Sequence, residues 1–319
     1  MLKVLFAPLQ GYTTGIYRRA HAEIFGGVDA YYAPFLRIEN GLPREKDLRD
    51  LECAGVAERN RTDYKVIPQI IANCVQEFKT LAEAVLQKGF TEIDFNMGCP
   101  FPMQVNRHRG AGLLINVQAV QEIMDEIKRM SGSATNANGT APVKFSVKMR
   151  LGQNSPDEAF ALLPILNDTP LAHITIHPRL GKQQYKGAID FNSFEKFYNE
   201  CKHPLVYNGD ITSVSQICEM ERKYPKLAAL MIGRGLLAHP NLAAEYKSLG
   251  CKDFLGKILQ MHQIIFEDAC KKFQGDSQIL SHIQSFWEYL EPNIPKKIFK
   301  KIKKAGKLSE YSEAVKELS

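Results

Sequence analysis

The stretch Glu92-Ile-Asp-Phe-Asn-Met-Gly-Cys-Pro100 decides how the rest of the chain is read. Ile93, Phe95 and Met97 alternate with Asp94 and Asn96, which is the period of a strand, and Gly98 and Pro100 stop that strand on either side of Cys99. The thiol is therefore expected at a strand's C-terminal end. In a barrel of parallel strands that face collects catalytic residues. A cysteine met alone is more often a small buried residue, but the flanking Asn96 and the Gly-Cys-Pro turn favour chemistry here.

Seven further runs have the same strand character: Val4 to Pro8, Asp29 to Pro34, Val66 to Ile71, Val143 to Met149, His173 to His177, Leu205 to Asn208 and Leu230 to Gly233. Between them lie segments with helical spacing, among them Val75 to Lys88, Val117 to Met130, Asp157 to Leu166 and Val214 to Tyr224. Eight alternating strand and helix units point to an α/β fold, a TIM (β/α)8 barrel, rather than an open doubly wound sheet. No Gly-x-Gly-x-x-Gly fingerprint follows the first strand.

The alternation stops near Asn241. Asp253 to Phe273, Ser281 to Leu290, Pro295 to Lys304 and Ser309 to Leu318 all read as helices. The expected organisation is a barrel over residues 1–241 and a small all-helical C-terminal domain over 242–319. Two segments interrupt the barrel's spacing. Residues 131–140 are polar and low in complexity, which suits a solvated loop on the bottom face. The long charged stretch from Arg37 to Lys65 follows the second strand and would rise over the catalytic mouth, as a lid or as a plain surface loop.

Composition narrows the functional classes. No apolar run reaches membrane-spanning length, and the N-terminal Met-Leu-Lys-Val-Leu-Phe-Ala-Pro8 is too short for a signal peptide, so a soluble cytoplasmic protein is expected. Seven cysteines without close paired spacing argue against a disulfide framework and against a structural zinc site. The net charge of +6 permits a polyanionic partner without requiring one. Seven lysines fall between Lys296 and Lys307 with no acid among them. Such a run suits a solvated helix face or a phosphate backbone, and its position after an enzyme-like barrel favours nucleic acid.

Polar residues at the strand ends form a set. Gln69 follows the third strand, Lys148 and Arg150 the fifth, His177 and Arg179 the sixth, Asn208-Gly-Asp210 the seventh and Gly233-Arg-Gly235 the eighth. Loops after the last two strands are where such barrels commonly grip phosphate. Lys148 has the chemistry to stabilise the negative charge that a reduced flavin develops.

The motifs Ala7-Pro-Leu-Gln-Gly11, Pro68-Gln69, Asn96-Met-Gly-Cys-Pro100, Gly110-Ala-Gly-Leu-Leu114, Val147-Lys-Met-Arg-Leu-Gly152, Ile176-His-Pro-Arg179, Tyr185-Lys-Gly187, Tyr207-Asn-Gly-Asp-Ile211 and Met231-Ile-Gly-Arg-Gly235 together resemble the tRNA dihydrouridine synthase family, from Ala7 to about Pro240. The resemblance implies an FMN-dependent barrel with a helical tRNA-binding domain over 242–319. It places FMN on Pro8, Leu9, Gln10, Gln69, Lys148, His177, Asn208, Gly209, Asp210, Gly233 and Arg234. It also implies that NADPH or NADH reduces the flavin, that hydride passes to C6 of a tRNA uridine, and that Cys99 protonates C5 as the general acid. Asn96, Arg150 and Arg179 are the expected substrate contacts in the mouth, and Lys296, Lys300, Lys303 and Lys307 those on the tail. A monomer without metal is expected.

Leu9 stands where the family usually has Met, Thr14 where it often has an acid, and Pro178 and Leu180 flank the His-x-Arg where it has Gly and Thr. Leu9 is close to Met in volume, so the flavin site is expected to survive. Two other readings are open: a small-molecule FMN-dependent pyrimidine reductase or dehydrogenase, which has no use for the basic tail, and a non-catalytic RNA-binding barrel, which would bind no flavin.

Overall fold

The computed structural model describes residues 1–51, 60–61, 64–133, 142–250 and 252–318. Eight parallel strands close on themselves. They are β1 (Lys3–Phe6), β2 (Ala30–Tyr32), β3 (Tyr64–Ile67, resumed as Gln69–Ile70), β4 (Glu92–Met97), β5 (Lys144–Gly152), β6 (Leu171–Leu180), β7 (Leu205–Tyr207) and β8 (Leu227–Ile232). Each pairs with the next, and β8 returns to β1 with Val4 opposite Leu230 and Phe6 opposite Ile232. Closure runs through β3. Its first half pairs with β2, its second half with β4, and Pro68 between them has no N–H for a ladder but accepts from Asp94 N at 2.9 Å.

Strand alternation sorts the side chains into two layers. Val4, Phe6, Leu230 and Ile232 face outward into the large core beneath the helices, whereas Leu5, Ala7, Ala229 and Met231 belong to a separate inner cluster with Ala30, Tyr32, Ile67 and Val206. On β4 and β5 the inward positions are polar instead: Asp94, Asn96, Ser146, Lys148 and Arg150, while Ile93, Phe95, Phe145 and Val147 are buried outside. One side of the barrel interior is therefore greasy and the other is wired by hydrogen bonds.

The helices of the ring are α1 (Gly15–Ile24), α2 (Glu45–Leu51), α3 (Val75–Gln87), α4 (Val117–Ser133), α5 (Asp157–Asn167), α6 (Phe191–Glu200) and α7 (Val214–Lys223). Local chemistry explains their ends. Asp190 accepts from Ser193 N at 2.9 Å to start α6, Ser213 accepts from Gln216 N at 3.3 Å to start α7, and Gly89 at φ +82° turns the chain out of α3. α3 buries Phe78, Leu81, Ala82, Val85 and Leu86 against the barrel, each large apolar side chain contributing roughly 1.5 to 3 kcal/mol. Phe78→Ala would lose about 3 to 5 kcal/mol from that stripe.

Beyond β8 come α8 (Arg234–Ala238), α9 (Leu242–Tyr246), α10 (Phe254–Lys272), α11 (Asp276–Ile283), a 3-10 helix (Gln284–Asn293), α12 (Lys296–Lys304) and α13 (Leu308–Lys316). A single helix expected over Ser281 to Leu290 is in fact the end of α11 followed by the 3-10 segment; the buried residues Ile283, Phe286, Trp287 and Leu290 carry one helical period through both. Trp287 anchors this region, donating through Nε1 to Tyr311 Oη at 2.8 Å, which also meets His262 Nε2 at 2.6 Å. α10 packs along α1 of the barrel.

The segment expected to rise over the mouth is described as far as Leu51. It forms a hairpin, Ile38–Glu39 with Leu42–Pro43, and then α2, whose Asp50 pairs with the buried Arg18. Its remainder, apart from 60–61 and 64–65, lies outside the described residues. The same holds for the expected loop at 131–140, except that 131–133 belong to α4. Among the described residues no helix is long and apolar enough to cross a membrane, and no cluster of His, Cys, Asp and Glu is arranged to hold a metal ion.

Candidate active site

At the C-terminal ends of the strands lies a cavity of about 540 Å³, a size that takes a cofactor-like ligand. All eleven residues placed on the cofactor by the sequence line it, and so do Cys99, Asn96 and Arg150. Arg179 does not. It is buried beneath the lining, with both Nη atoms on the Asp210 carboxylate and Nε on Gly187 O at 3.0 Å. Lys296, Lys300, Lys303 and Lys307 are outside the cavity, the first three on α12 and the last beyond its end.

The Cys99 turn is held by its own strand. Asn96 Oδ1 accepts from the backbone N–H of Gly98 at 3.0 Å and of Cys99 at 2.9 Å, so the residue expected to meet substrate is also the one that caps the turn. Gly110 backs the turn closely: a Cβ there would stand 2.6 Å from Cys99 O. Burial pushes the Cys99 thiol up, while the Phe101 N–H and the charges of Arg150 and Lys148 pull the other way. The thiol therefore stays protonated at neutral pH and suits a proton donor.

On the neighbouring strand, Lys148 sits opposite Asn96. Among the described residues no acceptor lies within hydrogen-bonding distance of its ammonium. Burial pulls it down to about 8, Arg150 adds to that, and Asp94 opposes it. Arg150 is committed: Nε donates to Gly98 O at 3.0 Å and Nη1 to Leu180 O at 3.0 Å and Gln184 O at 2.6 Å. His177 is held well below its usual value by burial and by the surrounding cations, and is neutral. Arg179 Nη1 lies 3.3 Å from His177 Nε2 and can only donate, so Nδ1 carries the proton.

On the far side the chain makes a cradle. Leu9 O accepts from Tyr12 N and Thr13 N at 3.0 Å, which folds Pro8 to Gln10 against the mouth. Asn208 Nδ2 donates to Met231 O at 2.7 Å and ties β7 to β8. In Gly233-Arg-Gly235 the two glycines differ. A Cβ on Gly235 would stand 2.0 Å from Ile211 O, a packing demand, whereas one on Gly233 would only come within 3.4 Å of Ala7 Cβ and 3.5 Å of Leu9 Cδ1 and would narrow the cavity.

Two lining tyrosines escaped the sequence reading of the site. Tyr185 lies under the guanidinium groups of Arg150 and Arg234, at 5.4 and 4.8 Å from the ring centre. Tyr289 arrives from the 3-10 helix of the C-terminal region and packs edge-on against Tyr12 at 5.2 Å. Beside it Glu288 accepts from Tyr12 Oη at 2.5 Å and pairs with Lys303 at 3.3 Å, which links α12 to the mouth. A motif at Tyr185-Lys-Gly187 was visible in the sequence; nothing local marks Tyr289.

The lining fits a flavin mononucleotide. Three cations, Lys148, Arg150 and Arg234, face one carboxylate, Asp210, which Arg179 and Arg234 already neutralise. That surplus suits an anionic phosphate, and the uncommitted Lys148 suits the electron-accepting edge of a ring.

Fold and site define an enzyme of the TIM-barrel class with its chemistry at the C-terminal mouth. The chain belongs to the dihydrouridine synthase family, whose model matches residues 5–318. It is 25% identical over 303 residues to a tRNA-dihydrouridine(16) synthase of Haemophilus ducreyi, covering 93% of this chain and 88% of that protein. It is 26% identical over 249 residues to the Pseudomonas putida protein of the same name, covering 76% and 73%. Among solved structures, morphinone reductase matches with a TM-score of 0.55 at 11% identity over 78% of this chain and 87% of that one. Histamine dehydrogenase from Rhizobium sp. 4-9 matches with a TM-score of 0.57 at 11% identity over 82% of this chain, which spans about half (49%) of that longer protein. Both support the barrel fold.

Proposed function

We propose that the protein is a tRNA-dihydrouridine synthase of the cytoplasm, which reduces a uridine of tRNA to 5,6-dihydrouridine with FMN and NADPH or NADH. The observation that carries this reading is the pairing, on adjacent strands of one cavity, of a protonated thiol, Cys99, with an uncommitted cation, Lys148. FMN bound in this cavity supplies the hydride that reduces C6 of the uracil. Lys148 and His177 would hold the cofactor's polar edge, and Arg234 with the backbone of Gly209, Asp210 and Gly233 would hold its phosphate; all of them line the cavity. Cys99 gives its Sγ proton to C5, and Asn96 keeps the turn in place while its amide borders the base. The base reaches the cavity by leaving its RNA stack, as single-stranded loop bases can.

Residues 242–319 serve as the RNA-holding domain in this reading. α12 buries Ile302 and exposes Lys296, Lys297, Lys300, Lys301 and Lys304, whereas Lys303 is half-buried; Lys296, Lys300 and Lys307 have no carboxylate partner among the described residues. A small-molecule reductase has no use for that face.

The test is to incubate purified protein with unmodified tRNA, FMN and NADPH and to analyse nucleosides by mass spectrometry. Dihydrouridine should appear, and mapping it locates the target uridine. A protein that binds no flavin and leaves uridine intact would sink the proposal.

A further inference from the structure

Asp94 has no surface in contact with water, yet it lies on the inner face of β4 directly below the Cys99 turn. Its oxygens are both engaged: Oδ2 accepts from Gln69 Nε2 at 2.7 Å and Oδ1 from Ser146 Oγ at 2.6 Å. Strand register puts all three side by side, Gln69 opposite Asp94 and Asp94 opposite Ser146. Burying a carboxylate is costly, and here the cost is offset by these two donors and by the charge of Lys148 nearby.

What the carboxylate does supply is direction. An ionised carboxylate only accepts, so Gln69 must present its NH2 to Asp94 and its oxygen to the other side. There Gln69 Oε1 accepts from Asn96 Nδ2 at 2.7 Å. Asn96 in turn must present Oδ1 away from Gln69, where it accepts from the N–H of Gly98 and Cys99. An amide turned end for end keeps its shape but exchanges donor for acceptor. With Asn96 reversed, its NH2 would face two backbone N–H groups and the turn would lose both bonds. The carboxylate at one end and the two backbone N–H groups at the other demand the same arrangement of the two amides.

We propose that Asp94 is a positioning residue, which through Gln69 and Asn96 sets the direction of a hydrogen-bond relay that holds the Cys99 turn and presents the thiol to the substrate. This rests on the reading of Cys99 as the proton donor. Ser146 secures the second oxygen and keeps the carboxylate from rotating.

The test uses Asp94→Asn, which keeps the shape and removes the charge, in the flavin-loaded protein. The amide introduced at position 94 can turn its NH2 either to Gln69 or to Ser146, whose hydroxyl also accepts, so the relay loses its fixed direction, and kcat falls about tenfold, the equivalent of one lost hydrogen bond, while KM for tRNA stays within about twofold. Alkylation of Cys99 by iodoacetamide, followed peptide by peptide in the mass spectrometer, should accelerate about threefold or more as the turn loosens. The second variant, Asp94→Asn with Gln69→Glu, moves the carboxylate one link along. The new amide at position 94 then donates to the new carboxylate at position 69, which also accepts from Asn96, and Asn96 keeps its oxygen on the turn. Alkylation should return to within about twofold of the native rate even where flavin affinity suffers.

Native alkylation and native kcat in the single variant would overturn the proposal, and so would a double variant that alkylates as fast as the single one. If Asp94→Asn alone does not fold, recovery of folded protein by the added Gln69→Glu supports the relay. Failure of both to fold makes Asp94 a purely structural carboxylate and overturns it. Full activity of Cys99→Ala would defeat the proton-donor reading, whereas the alkylation comparison reports on the relay whatever that outcome.

Discussion

Arg179 holds Asp210 from beneath the cavity floor while Arg234 holds it from the rim: Arg179 Nη1 reaches Oδ1 at 3.0 Å and Nη2 the other oxygen, and Arg234 Nη2 reaches Oδ1 at 2.8 Å. The two guanidinium groups keep the carboxyl below its usual range, Arg179 foremost. Asp210 also sits at φ +44°, a left-handed backbone that a non-glycine residue keeps only when its surroundings fix it. The clamp thus shapes the loop after β7 and cancels the one negative charge that would repel a phosphate. Arg179→Lys keeps a charge but loses the planar fork. FMN should bind about tenfold more weakly, roughly 1.4 kcal/mol, in a fluorescence titration. An unchanged dissociation constant would detach the phosphate grip from this clamp.

Cys99→Ala should retain FMN and its reduction by NADPH, because the thiol follows β4, which is four strands around the barrel from β8. Dihydrouridine formation should drop by about 10² to 10⁴, the range of a lost general acid. Loss of flavin together with activity would point to a packing role for the thiol instead.

The lysine face should act on affinity and leave chemistry alone. Changing Lys296, Lys300, Lys303 and Lys307 to Gln is expected to raise KM for tRNA with kcat little altered, since these residues lie outside the cavity. Every phosphate left without its cation should flatten the slope of log affinity against log salt by about 0.7 to 0.9. If the slope of the fourfold variant equals the native one, the RNA is held elsewhere.

Acid should unfold the protein through histidines that the fold keeps neutral. His21 is fully buried between Tyr31 Oη and Pro240 O, and burial pulls it down to about 4; His262, buried among Phe266, Trp287 and Tyr311, is pulled down to about 3. Both lie below the unfolded value of about 6.5, so the unfolded chain binds more protons in this window. Their stability is intact above about pH 6.5 and is lost as pH falls toward 4, each costing about 2 kcal/mol by pH 5. Asp94, raised to about 6 by burial, works in the opposite sense between pH 6 and 4 and softens the fall. Urea midpoints at pH 7 and pH 5 measure the net effect; equal midpoints would mean that both histidines take up protons within the fold.

The barrel was legible because its signal is local. Asp94 and Asn96 alternate with Phe95 and Met97, and Lys148 and Arg150 with Val147 and Met149, so a period of two already tells which side chains enter the interior and which strand ends meet. Orientation within the site was not local. Asn96 turns its Oδ1 to the N–H groups of Gly98 and Cys99, and Gln69, held by Asp94 on another strand, demands the same orientation; no run of sequence carries that link. Arg179 reads like a second Arg150, two residues past a strand's inward histidine, but Asp210 and Gly187 draw it under the lining. The 3-10 segment hid for a different reason: Phe286, Trp287 and Leu290 repeat as any amphipathic helix would, and the tightening of the turns leaves that repeat unchanged.

Tyr289 gives the cavity a wall that the barrel strands do not supply. A ribosome makes the strands first, and domains tend to fold in the order in which they are made. The last strand ends at Ile232, so this part of the mouth is complete only once the 3-10 helix at Gln284–Asn293 has been synthesised and has docked. A ligand that needs this wall is therefore expected to be held only late in translation. A frameshift or stop codon between the barrel and Tyr289 is expected to remove this wall together with the lysine face, and weaker flavin binding by the product would reveal it before any RNA was added.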